Sequence, residues 1–349
     1  MSNPMSGSSF SDFRSRPRKA VRLSQEELVR TGYLPGDEDR FPLVVEPNVE
    51  DLNLVTWASA NRGLVEEQLL RHGSILFRGF GVASAEQFHE VCRGFYPDLL
   101  DYRERAAPRN EVSSKVYTST EFPADQYIPL HHEMSYSHNW PTKILFYCHQ
   151  PAQKGGCTPV ADDRKVIQRI DPEVKRMFLE RKVMYVRNYG EGVDLSWREA
   201  FQTDDRVVVE EYCRKAGATV EWRDQDRLRT RSVRQVTVEH PRTGETIWFN
   251  HAHMFHVSNL QPEVRASLLS EFAPDELPRN AFFGDGTPIE DAVLEHIRTV
   301  YRDTAVSFSW EKGDVLLVDN ILASHGREPF EGPRTILVAM ADLYTHPGL

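Results

Sequence analysis

The second half of the chain carries short β runs at both of its ends with helices between them, and this order restricts the available folds more than any other feature. "KVYTST", "YIPLHHE", "KILFYCHQ" and "CTPVAD" follow one another from residue 115, and "AVSFSW", "VLLVDN" and "RTILVAMADL" close the chain, with a turn at "EKGD". Strands this short must pair widely to be stable. Between the two groups lie mostly helical patterns such as "PEVKRMFLERK" and "DDRVVVEEYCRKAG". The early strands are therefore expected to pair with the late ones in one mainly β domain with α insertions, a β-sandwich or jelly roll flanked by helices. Residues near 130 and near 325 then become spatial neighbours. The domain is expected over 21–349, with a helical insertion around 164–232, after a disordered tail over 1–20 rich in Ser, Pro and Arg.

Upstream, "DLNLVTWASANRGLVEEQLLRHG" reads as one helix stopped by Gly73 in a left-handed cap. "SILFRGF" reads as a short buried strand, and "SAEQFHEVCRGF" as a helix with Ser84 as N-cap and Gln87 completing a capping box. "VRQVTVEHPRTGETIWFN" is a hairpin turning near Thr243 and Gly244. "TPIEDAVLEHIRTVYRD" is an amphipathic helix opened by Thr287 and Pro288. A net charge of -10 and a pI near 5.7 argue against nucleic acid or an anionic membrane as partner. No apolar run approaches the roughly 18 residues of a membrane span. The N-terminus lacks the apolar core of a secretory signal. Cys92, Cys148, Cys157 and Cys213 are scattered, which fits reduced thiols in a cytoplasmic protein.

The stretch "IPLHHEMSY" places two histidines before a glutamate. Thirteen His and 52 acidic residues in 349 make about two His-x-Asp/Glu motifs expected by chance, and this is the one present, so the motif alone carries little. Its geometry carries more. In a strand, residues i and i+2 share a face, so His131 and Glu133 converge while His132 points away. His325, after the apolar run "VLLVDN", supplies a distant third ligand for an Fe(II) site of two histidines and one carboxylate; a loop histidine is the competing reading. Arg334 enters an apolar strand, which is costly unless its charge is paired, and its planar fork suits a carboxylate. Thr158 opens a nearby strand and offers a hydroxyl. An exposed edge arginine is the bland alternative.

Other groups compete. "NHAHMFH" offers His251, His253 and His256 as a three-histidine zinc site for a hydrolase, or as a segment lining a cavity. Arg78 follows the strand in "FRGF" and either meets substrate or pairs with a core carboxylate. Tyr136, Asn250 and Arg327 are candidate pocket residues by position. A jelly-roll binding module without redox chemistry is the alternative of another class.

Taken together, "GSILFRGF", "LHHEMSY", "GGCTPVAD", "DVLLVDNILASHGREPF" and "GPRTILVAMAD" resemble the taurine dioxygenase (TauD/TfdA) family of Fe(II)- and 2-oxoglutarate-dependent oxygenases, over roughly residues 70 to 343. "TGETIWFNHAHMFHVSNL" and "FFGDGTPIED" further resemble its branch in nonribosomal-peptide pathways, which includes syringomycin-type amino-acid hydroxylases. The resemblance implies a distorted double-stranded β-helix and a reaction using O2 that releases succinate and CO2. His131, Glu133 and His325 match the family's metal ligands. Thr158 and Arg334 match the threonine and arginine that hold 2-oxoglutarate. Glu133 stands where many members have Asp, and because that carboxylate is present a halogenase is disfavoured. Val338 stands where the taurine enzyme keeps a sulfonate-binding arginine, which speaks against taurine. The implied reaction is hydroxylation of an amino acid or carrier-bound aminoacyl group, with desaturation or cyclisation as variants of the same site. The expected partners are a small-molecule substrate, free or tethered to a peptidyl carrier protein, and a second copy of the chain in a homo-oligomer.

Overall fold

The structure is a computed structural model that describes residues 27–35, 40–101, 110–119, 122–190 and 195–347; the expected tail over 1–20 lies outside them. The apolar strand Val315–Asp319 is the axis of assembly, buried along its whole length. It pairs antiparallel with Ser74–Phe77 on one side and with Asn139–Gln150 on the other. The sheet grows outward to eight strands in the order Val29–Gly32, Leu43–Pro47, Ser74–Phe77, Val315–Asp319, Asn139–Gln150, Thr335–Thr345, Val116–Thr118 and Glu111–Ser113. Early strands thus alternate with late ones, as a jelly roll requires.

A second, three-stranded sheet holds Ala323–Arg327 between Ile128–His131 and Val160–Asp162. The two sheets enclose one core: Leu76, Phe146, Val318, Ile336, Val338 and Met340 of the large sheet pack with Val160 and Ala323 of the small one. Helices Leu54–Ala60, Arg62–His72 and Ala85–Phe95 cover the opposite face of the large sheet, against Ile75, Phe77, Leu145 and Leu317.

Several elements differ from the sequence pattern. The helix expected over 51–73 breaks at Asn61, which caps the end of one helix and the start of the next and donates its side-chain amide to the Trp57 carbonyl at 2.8 Å. Gly73 takes the expected left-handed cap at φ 72°. The segment expected to be a helical insertion also contributes Val183–Tyr189, Ala218–Arg223 and Arg227–Arg234, which join Arg279–Phe283 in a four-stranded antiparallel sheet. The last helix begins at Asp291, because Asp285 holds both the backbone N–H and the hydroxyl of Thr287 in a turn. "AVSFSW" makes a single bridge, Val306 to Val160, before Phe308 and Trp310 turn into the core. The hairpin forms as expected, with Thr237–Glu239 against Thr246–Trp248 and Gly244 at φ 72°. All four cysteines are free thiols, and no helix among the described residues is long and apolar enough to cross a membrane.

Candidate metal centre and the cavity beside it

Strand register brings the two distant histidines together. His325 stands directly opposite His131 across the antiparallel pair, with Val160 opposite His325 on its other side. The rings of His131 and His325 lie 4.6 Å apart, centre to centre. One ligand atom each from His131, Glu133 and His325 falls within 4.8 Å of the others, the one such three-residue group among the described residues. Glu133 and His325 are buried and His131 is half-buried. The Nδ1 of His131 lies 2.8 Å from the Pro129 carbonyl, which can only accept, so Nδ1 carries the hydrogen and Nε2 carries the lone pair that a metal would take.

Glu133 reaches this point by a route that strand alternation does not describe. The strand ends at His131, and residues 132–137 form a turn in which Met134 has φ 61°. Asn320 replaces the strand as the device that holds the glutamate. Its Oδ1 accepts the Glu133 N–H at 2.8 Å, and its Nδ2 donates to the carbonyls of Glu133 at 2.9 Å and Pro141 at 2.8 Å. His132 turns away, as alternation predicts. It is fully buried, with Nδ1 2.7 Å from the Asn320 carbonyl and Nε2 3.1 Å from both Asp163 Oδ1 and the Trp248 carbonyl. Burial opposes charge on this ring, but the Asp163 carboxylate and the two carbonyls outweigh it and raise the pKa. With acceptors facing both nitrogens, His132 is a structural cation and cannot serve as a ligand.

His131 and His325 open onto a partly enclosed cavity whose wall also includes Thr158, Arg327 and Arg334, with Phe146, Ile336 and Val338 as apolar lining. Thr158 accepts a hydrogen bond from Trp310 Nε1 at 2.9 Å and lies 3.5 Å from Arg334 Nη2. Arg334 donates from Nε to the Gly156 carbonyl at 3.0 Å. No described carboxylate forms an ion pair with Arg334. Burial, with the positive charge of Arg327 adding to it, brings the Arg334 pKa down to about 10. The cavity therefore presents a cation whose charge calls for an anionic guest.

The remaining candidates separate. Arg327 lines the same cavity, but its guanidinium donates to the carbonyls of Phe122, Pro123 and Gln126 and so anchors that segment. Arg78 is removed from the cavity wall: it forks onto Asp314 at 2.6 and 3.1 Å and reaches Glu311 at 3.0 Å, the core-carboxylate alternative. Asn250 is a structural brace, donating to the Val236 carbonyl and accepting the Ala252 N–H. Tyr136 stands on another side of the metal ligands, 5.2 Å from the His251 ring, which is itself 5.5 Å from the His131 ring. The three-histidine zinc site does not form. Residues 252–255 make one helical turn, whose roughly 100° steps splay the side chains. His251 then meets Ser135 Oγ, His253 the Leu130 carbonyl and His256 Ser258. Asn320 and Trp310, which position Glu133 and Thr158, escaped the sequence reading because an Asn after a strand signals only a turn.

The family model for taurine catabolism dioxygenase TauD, TfdA family, matches residues 39–340. The chain belongs to this family. It is an Fe(II)- and 2-oxoglutarate-dependent dioxygenase, using O2 as co-substrate. It is 44% identical over 278 residues to the dapdiamide synthesis protein DdaC of Enterobacter agglomerans, covering 80% of this chain and 84% of that one. It is 31% identical over 323 residues to a clavaminate synthase-like protein of Arabidopsis thaliana, covering 86% and 93%. Its fold is similar to that of PvcB from Pseudomonas aeruginosa, with a TM-score of 0.56, 18% identity, and 94% and 97% of the two chains covered. Two imidazoles lining a partly enclosed cavity and one buried carboxylate beside them would suit the family's iron in donor type and number.

Proposed function

We propose that this dioxygenase hydroxylates an unactivated C–H bond of an amino acid or a carrier-bound aminoacyl group in specialised metabolism. His131, Glu133 and His325 hold the iron, and Arg334 with Thr158 takes the distal carboxylate of 2-oxoglutarate. The observation that carries this reading is the convergence of three ligand atoms within 4.8 Å beside a cavity that also holds Arg334. The 44% identity to a protein of dapdiamide synthesis supports a small amino-acid-derived substrate.

When bound, the iron and keto acid supply the oxidising power, with decarboxylation giving succinate and CO2. The chain's own residues do the rest. The Pro129 carbonyl fixes the His131 tautomer, Asn320 fixes the carboxylate ligand, and the His132–Asp163 pair packs behind both. Arg334 orients the keto acid by its far end, and Phe146, Ile336 and Val338 exclude water from its carbon chain. Anaerobic Fe(II) binding, followed by oxygen-dependent succinate release with a panel of free and carrier-loaded amino acids, tests the proposal. One bound iron, lost in His325→Ala, and succinate formed with a matching hydroxylated product are expected. A wild-type chain that binds neither iron nor 2-oxoglutarate would overturn it.

A further inference from the structure

A second, small pocket, lined by Tyr136, Tyr185, Arg187, Thr230, Ser232 and Arg234, lies on the Tyr136 side of the candidate metal ligands. Its floor is one face of the four-stranded sheet. Tyr185 stands opposite Ser232, Arg187 opposite Thr230 and Val183 opposite Arg234 across one strand pair. Cross-strand partners point to the same face, so this face presents two guanidinium groups and three hydroxyls. Arg187, Arg234 and Tyr185 are at most 3% exposed. A buried sheet face is ordinarily apolar, and the same sheet uses Val183 in that way one register step away.

The Tyr185 hydroxyl is poised as a donor. Tyr185 Oη accepts the His251 N–H at 2.6 Å, and burial pushes its pKa well above the usual phenol value, so it keeps its own proton. That proton has no acceptor among the described residues. Arg234 donates to the carbonyls of Tyr136 and Val233, and Arg187 sits 5.6 Å over the Tyr136 ring. The cavity is close to the metal ligands: Tyr185 binds the backbone of His251, whose ring faces that of His131.

We infer that this cavity binds a carboxylate of the substrate, through Arg187, Arg234 and the hydroxyls of Tyr185, Thr230 and Ser232. The inference rests on the hydroxylase reading and names the substrate class: a molecule with a free carboxylate in addition to the carbon that is oxidised. Arg334 and this cavity then divide two anions between two walls, one for the keto acid and one for the substrate.

The test is a thermal-shift and calorimetric titration of the metal-free chain with L-amino acids, C4 dicarboxylates and their monoamides, each compared with its fully amidated counterpart. At least one acid should bind saturably where its amide does not. Arg187→Met and Arg234→Met should each weaken that acid by about 10- to 150-fold, the worth of a hydrogen bond to a charged group. Arg187→Lys should recover part of the loss, which separates lost charge from misfolding, and Arg334→Met should leave the affinity within about threefold. Binding of no acid, equal binding of acid and amide, or a loss confined to Arg334→Met overturns the inference. Succinate release in the same variants keeps the two readings apart. Absent turnover with carboxylate binding intact counts against the hydroxylase reading alone, and normal turnover with unchanged KM in Arg187→Met counts against the subsite alone.

Discussion

His131 and His132 are adjacent, yet one joins Glu133 and His325 in the proposed metal site and the other is spent on Asp163 and two carbonyls. His131→Ala is therefore expected to abolish stoichiometric iron binding while leaving the fold intact. His132→Ala should keep the iron but cost about 3–5 kcal/mol of stability, since it strands a buried carboxylate. Iron content and urea unfolding, measured on both variants, decide the point, and a reversed result would show the wrong histidine assigned. Asn320 acts one step further from the metal. In Asn320→Asp the amide donor becomes an oxygen facing the Glu133 and Pro141 carbonyls. We expect about a 10- to 100-fold loss of metal affinity, the usual cost of disturbing groups that orient ligands. This residue could not be read from sequence, because its partners are backbone atoms of a remote turn. Arg78 was readable only as two alternatives, and Asp314 decides between them.

At the scale of elements, the proposed metal site depends on how closely Ala323–Arg327 approaches Ile128–His131. The register shifts by a bulge between His325 and Arg327, at Gly326. A Cβ at Gly326 would meet the Ile128 carbonyl at 2.6 Å and the Leu130 nitrogen at 3.2 Å. Gly326→Ala should part the strands, lowering stability by about 1–3 kcal/mol and weakening metal binding, as calorimetry with Mn(II) would show. Gly63→Ala, in a helix with open space around it, is the control expected to leave binding unchanged. The exit of the axial strand is fixed by Asp319. Its buried carboxylate meets Lys143 at 2.7 Å and His240 at 3.3 Å, and accepts the Ile321 and Leu322 N–H groups. Burial alone would raise its pKa, but Lys143 and His240 outweigh it and hold the pKa well below the usual carboxylate range. A depressed acid stabilises the fold above its unfolded pKa of about 4, and the contribution fades as pH falls toward the folded value. Urea midpoints of the wild type should therefore drop below about pH 4, and Asp319→Asn, less stable at neutral pH, should lose part of that dependence.

At the scale of the whole molecule, a site assembled from both ends of the domain couples metal binding to folding. Unfolding separates His131 from His325, so an ion held by both would bind the native state alone. Metal at about 100 times its Kd should add about 2.7 kcal/mol to stability. Scanning calorimetry should show a higher Tm with Mn(II), reversal by chelator, and no metal effect in His131→Ala. If the chelator changes nothing and the metal shifts the His131→Ala protein equally, the ion binds elsewhere.

The sequence by itself determined the alternation of short strands and helices, the jelly-roll class, and the residue types able to bind a metal and an anion. These follow from period-two patterning and side-chain chemistry, which are local. Alternation also anticipated that His132 turns away from His131, although the strand itself ends at His131. Tertiary structure decided everything that needed a partner far along the chain. It placed His325 opposite His131 by register, seated Glu133 on Asn320 outside any strand, and wound "NHAHMFH" into a helical turn that scatters its histidines. It also folded part of the expected helical insertion into a sheet with a polar buried face. Register and burial arise from packing between segments, and no local periodicity encodes which remote backbone atom a side chain will meet.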